Sequence, residues 1–160
     1  MLDHLRQLLA HSDWANAVFF HAWAKSSARE HEEMRRRVGH VVGVQEGFLK
    51  ILQGENPGVP PSGPPPTFDE LKARAISSHE RLRAFAGSLD EPALARTVWI
   101  PWFPDPPCVI TVAEALVQVA MHTQHHRGQL MTRLKDLGGE PKNVDWIIWL
   151  WKGRPQARWD

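Results

Sequence analysis

Val119-Ala120-Met121-His122-Thr123-Gln124-His125-His126-Arg127-Gly128-Gln129-Leu130 lies in the middle of a run, Val112 to Leu137, that reads as one long helix. Val112, Leu116, Val119, Thr123, Leu130, Leu134 and Leu137 recur at helical spacing and define its apolar face. Thr111-Val-Ala-Glu114 supplies a capping box at its start, and Gly138-Gly139 followed by Pro141 ends it. Residues on a helix advance by about 100° each, so His122 and His126 stand one turn and about 40° apart. His126 falls about 50° from the centre of the apolar face, His122 about 90° and His125 about 150°, which turns His125 outward.

Outward from this helix, three more long segments follow the same rules. The first runs from about Leu2 to Lys25, the second from about Ala28 to Gln53 and the third from about Phe68 to Leu89. Ser27-Ala-Arg-Glu30 and Thr67-Phe-Asp-Glu70 read as capping boxes for the second and third. Asn56 to Pro66 is too rich in proline to be helical. Arg96 to Ile110 suits two short strands or an extended loop and is the place to expect a lid. A short helix is expected over Val144 to Trp151. The expected fold is all-α: a four-helix bundle, residues 1–160 as one domain, with long crossover loops and a short C-terminal helix.

Composition narrows the function classes. A chain of 160 residues with 42% hydrophobic and 23% charged side chains has the make-up of a globular domain and not of a disordered one. Lys plus Arg is 19 against 18 for Asp plus Glu, so there is no basic excess to suggest nucleic acid as a partner. The longest apolar run near the C-terminus, Trp146 to Trp151, is far short of the ~20 residues of a membrane span. The N-terminus carries Asp3, His4 and Arg6 where a signal peptide would be apolar. A cytoplasmic protein is expected. The single cysteine, Cys108, excludes an intrachain disulfide and any Cys-rich metal site; it reads as a packed small residue.

Nine histidines then stand out. Imidazoles at i and i+4 on the inner side of a helix can chelate one metal ion, yet such pairs also occur on helices that bind none, so spacing leaves both readings open. A further ligand is needed for a tight site. His40 lies mid-helix between Val38-Gly39 and Val41-Val42, about 60° from the face made by Val41, Val44, Phe48 and Ile51. It reads either as a ligand or as a hydrogen-bonded core residue. His31 and His79 lie among charges and read as solvated, while His4, His11 and His21 share a half-polar side of the first helix. Gly39, Gly43 and Gly47 repeat every four residues beside His40, at a cost of about 1 kcal/mol each against Ala. Close packing of a neighbour or space for a ligand would offset it. Glu46 lies about 120° from His40, too far round to share its face. Arg127 reads as a surface or interface ion-pair residue. Most of Trp14, Trp99, Trp102, Trp146, Trp149 and Trp151 read as packing.

His40, followed by His122-Thr-Gln-His-His126-Arg127-Gly128-Gln129-Leu130, resembles the DinB/YfiT-like family of metalloenzymes. His11-Ser-Asp-Trp14-Ala-Asn16 is similar to that family's N-terminal Trp-Ala-Asn signature, and Asp145 to Trp151 to its closing Asp-plus-aromatic segment. The resemblance covers nearly the whole chain. It implies a four-helix bundle in which His40, His122 and His126 bind one divalent metal ion. Imidazole ligands suit several divalent ions, and zinc or nickel is the expectation, with iron or manganese next. The resemblance also implies a homodimer and a small-molecule substrate, with a low-molecular-weight thiol as co-substrate. The expectation is a metal-dependent enzyme, a thiol-dependent transferase or hydrolase, with no catalytic residue assigned. A non-catalytic metal- or ligand-binding bundle and a structural protein with core histidines are the alternatives.

Overall fold

Residues 1–59 and 62–160 are described by the structure, a computed structural model. Four long helices account for most of the chain: α1 (Leu2–Ala24), α2 (Glu32–Leu52), α3 (Phe68–Ser88) and α4 (Val112–Asp136). A short helix, α5 (Trp146–Trp151), follows. The chain is mostly helical, as expected, with one small two-stranded sheet beside the helices. Strands β1 (Thr97–Pro104) and β2 (Pro107–Thr111) pair antiparallel between α3 and α4, with Thr97 opposite Thr111 and Ile100 opposite Cys108. β-branched and aromatic residues in Thr97-Val-Trp-Ile favour the extended backbone, and Ile100, inward on this hairpin, is buried in the core.

Two of the three expected capping boxes form. Thr67 and Thr111 each accept from the backbone N–H of Glu70 and Glu114, and each Glu accepts from the backbone N–H of its threonine. The box at Ser27 does not form, because α2 begins later, with His31 at its N-cap. Trp23 donates its indole N–H to Ala28 O at 2.8 Å, which holds 25–31 as a turn instead of a first helical turn.

Each long helix packs on two others: α1 on α3 and α4, α2 on α3 and α4. One apolar cluster, including Leu5, Leu9, Leu49, Leu82, Ile100 and Leu116, fills the end next to the hairpin. A second, including Trp23, Met34, Val38, Phe68, Leu71 and Leu134, fills the other end. The order in which each helix meets these clusters sets its direction: α1 and α4 run one way, α2 and α3 the other. The segment joining α2 to α3 therefore returns along a length of about 30 Å, a crossover as expected of the Pro-rich stretch. It lies beside α2. Arg35 donates to Pro65 O and Pro66 O at 3.2 Å, and the Cα of Gly39 and Gly47 face Pro66 and Pro57. Pro60 and Pro61 lie outside the described residues.

A polar layer separates the two clusters, and every long helix contributes to it: Asn16, Gln45, Ser78, His79, Thr123 and Arg127 are all buried. Gln45 Nε2 donates to Thr123 Oγ1 at 3.0 Å, and Arg127 Nη1 donates to Asn16 Oδ1 at 2.9 Å. Asn16 Nδ2 in turn donates to His79 Nε2 at 2.9 Å. Buried polar groups are tolerable when bonded in this way.

Candidate metal centre

The α2–α4 pair places the histidines. Arg133 meets Glu33 at one end and Thr123 meets Gln45 further along, so the helices pack antiparallel and His40 comes level with the turn that carries His122 and His126. The ring centroids lie 5.1 Å (His40 to His122), 5.0 Å (His40 to His126) and 4.4 Å (His122 to His126) apart. One nitrogen from each ring lies within 4.8 Å of those of the other two. Among the described residues this is the one group of three or more His, Cys, Asp or Glu side chains close enough to hold an ion.

Several observations fit the residues to a cation. His122 Nδ1 is buried and has no hydrogen-bond partner, although its ring faces two other imidazoles. Burial pushes the His122 imidazole down to about 4, with the charges of His126, His40 and His125 acting in the same direction. Burial, then His126, also lowers His40. Both rings are thus neutral at pH 7, the state in which an imidazole nitrogen can donate to a metal. His126 Nδ1 donates to Gln129 Oε1 at 3.0 Å, and Gln129 Nε2 donates to His125 Nε2 at 3.0 Å. A proton on Nδ1 leaves the Nε2 lone pair of His126 free, the usual way a neighbouring group sets the tautomer of a ligating ring.

Arg36, Arg37, His40, His126, Gln129 and Leu130 line an open cleft of about 230 Å³ against the triad. His40 is exposed, and His122 and His126 are half-buried, so the site is reached from solvent on the outer side of α2 and α4. His40 is not a core residue, which removes one of its two readings. Glu46 takes no part, as the helical angle implied; it accepts from Arg74 Nε and Nη2 at 3.0 and 2.6 Å. The hairpin does not roof the cleft, contrary to its expected role as a lid, because all six lining residues come from α2 and α4. Trp102 of β1 instead covers Gly47, where a Cβ would lie 2.9 Å from the indole, and stands edge-on to Phe48. Packing accounts for Gly47, whereas a Cβ at Gly39 would meet Leu71 and Pro66 at ordinary contact distances of 3.7 and 3.9 Å.

The DinB family model matches residues 1–156, that is, all but the last four residues. The protein belongs to the DinB family. No curated protein and no solved structure gives a match.

Other histidines of this DinB protein depart from their sequence reading. His79 is buried, not solvated: it accepts from Asn16 and lies 5.9 Å from the Trp159 ring. His31 is half-buried. His11 is buried and donates through Nε2 to Val144 O at 2.8 Å. Arg127 is not at the surface and has no ion-pair partner among the described residues. It is buried with Asn16 and Gln124 as its partners. His125 is exposed, as its helical angle required. Cys108 is half-buried and packs against the hairpin-end cluster. Trp14 and Trp149 are buried, whereas Trp99, Trp102 and Trp151 are exposed, so packing explains fewer of the tryptophans than expected. Sequence reasoning passed over Arg36, Arg37 and Gln129. Their signal was available: at i−4 and i−3 from His40, and i+3 from His126, they share a helical side with the ligand candidates. No helix is long and apolar enough to cross a membrane among the described residues.

Proposed function

We propose that this DinB protein is a bundle of four long helices that holds one divalent metal ion through His40, His122 and His126, and that it is a metal-dependent enzyme acting on a small molecule. The observation that carries the reading is the convergence of three imidazoles from two helices, one nitrogen from each within 4.8 Å of the others. Three neutral nitrogen donors suit zinc or nickel first, with iron or manganese as further occupants. When bound, such an ion supplies Lewis acidity and the means to make a nucleophile from water or a thiol at neutral pH. The chain's own residues do the rest. Gln129 orients His126 and keeps its proton on Nδ1. The cleft gives a small substrate access to the triad from solvent. A thiol-dependent transferase or a hydrolase, working as a cytoplasmic homodimer with no nucleic-acid or membrane partner, is the form of this reading that the family resemblance favours.

A non-catalytic metal-binding role is the second reading. It is favoured by the absence of a carboxylate from the ligand group among the described residues, which leaves no evident general base. Elemental analysis tests the shared part of both readings. Protein purified without a His tag is expected to hold about one divalent ion per chain, lost in His126→Ala and in His40→Ala while helical content is unchanged. Full occupancy in both variants sinks the triad. Turnover with a panel of thiols and electrophiles then separates enzyme from binding protein.

A further inference from the structure

We infer that the small-molecule substrate carries an oxyanion group, a carboxylate or a phosphate, and that Arg36 and Arg37 bind it in the cleft beside the triad. The inference rests on the proposed metal-centred function for where the substrate sits. Arg36 and Arg37 precede His40 by four and three residues, so all three rise from one side of α2. With His126, Gln129 and Leu130 they line the cleft, and no carboxylate is among its lining side chains within the described residues.

The charges around the cleft are unequal. Glu32 pairs with Arg36 at 2.6 Å. Glu33 is shared, with Oε1 2.8 Å from Arg37 Nη2 and Oε2 2.7 Å from Arg133 Nη2. Three guanidiniums therefore face two carboxylates. Arg36 and Arg37 each use Nη2 in these pairs, and their remaining N–H groups have no hydrogen-bond partner among the described residues. A guanidinium offers its donors in a planar fork that matches carboxylate or phosphate oxygens. A cationic substrate would meet like charge here, whereas an anionic one gains two guanidinium forks bordering the open cleft.

Nickel-loaded protein provides the test, because an incoming ligand shifts the visible absorption of the ion. Succinate and methylphosphonate are titrated into the wild type and into the Arg36→Gln/Arg37→Gln double variant, with neutral imidazole as the control ligand. Both arginines are exposed, so the variant is expected to fold and to keep its nickel. Anion affinity is expected to fall by about tenfold to a hundredfold in the variant, with imidazole affinity unchanged. The anion bound more tightly by the wild type names the group. Equal anion affinity in the two proteins overturns the inference. Nickel content, measured on the same samples, reports on the triad separately. If the protein takes up no nickel, titration calorimetry with the same two anions reads the arginine pair alone, and no binding there overturns the inference as well.

Discussion

Arg127 follows His126 in the chain yet points the other way: the His126 ring stands 5.0 Å from His40 in an open cleft, while Arg127 Nη1 donates to Asn16 Oδ1 at 2.9 Å inside the polar layer. One step along a helix turns the side chain by about 100°, enough to pass from the outer face of α4 to its core. The guanidinium thereby ties α4 to α1 directly behind the triad. No carboxylate accompanies it among its hydrogen-bond partners, and burial pushes Arg127 down to about 10, so it is still charged at pH 7.

Removing that tie should be costly. Arg127→Ala leaves a cavity and an unsatisfied Asn16 oxygen, and the unfolding free energy is expected to fall by about 2–4 kcal/mol. Asn16→Ala alone should also destabilise, and the double variant should cost less than the sum by about 1–2 kcal/mol, since both remove the same bond. Denaturant titration of the four proteins measures this. Additive effects would mean that the two side chains do not act through one another.

His79 makes stability depend on pH. Burial, followed by the charges of Arg127 and Arg83, holds its imidazole down at about 3, against 6.5 for an ordinary histidine. A proton on Nε2 would also face the Asn16 amide N–H, which needs an acceptor there. The unfolded chain takes up a proton near pH 6.5 and the folded chain resists until about pH 3. The contribution is thus complete above pH 6.5 and is lost as the pH falls toward 3, at about 1.4 kcal/mol per pH unit. His11, lowered mainly by burial, acts in the same direction. Urea unfolding of His79→Gln should show a shallower acid slope than the wild type. An unchanged slope would place the pH dependence elsewhere.

Gln129 is exposed, so its replacement should leave the fold alone and act on the metal. Gln129→Leu removes the acceptor for His126 Nδ1–H. Zinc affinity, measured by competition with a chelating dye, is expected to weaken by about ten- to a hundredfold, with stability changed by less than about 0.5 kcal/mol. Wild-type affinity in this variant would show that His126 needs no such support.

Two helical glycines should respond in opposite ways to the same methyl group. Gly128 is exposed on α4, and a Cβ there meets nothing within 4 Å among the described residues. Gly128→Ala is expected to stabilise by up to about 1 kcal/mol through helix propensity. At Gly47 the same Cβ lies 2.9 Å from the Trp102 ring. Gly47→Ala should give no such gain, because the indole must leave its place against Phe48. Thermal unfolding of the two variants side by side measures the difference, and equal gains would mean that Trp102 moves aside freely.

Much of this was legible in local sequence. Thr67 and Thr111 announced the starts of α3 and α4, because a capping box is completed within four residues. Ser27 failed as a start because a bond from Trp23 to Ala28 competes there. His122 and His126 share a helical side by spacing alone, but the membership of His40 came from family resemblance and needed the α2–α4 packing to become geometry. His79 misled for the converse reason. Its neighbours Glu80, Arg81 and Arg83 suggested solvent, and only Asn16 on another helix and Trp159 near the C-terminus show where its ring points.

By itself the sequence determined where α3 and α4 begin, which faces are apolar and which histidines lie one turn apart. Those properties depend on backbone hydrogen bonds and side-chain spacing within a few residues. Only the tertiary structure decided that the Pro-rich segment returns along α2, that Arg127 is buried while His126 is open, and that two arginines border the triad. Each of these depends on which helices pack together and in which direction. That outcome is set by burial summed over the two apolar clusters and by the bonding of the polar layer between them, both of which join residues far apart in the chain.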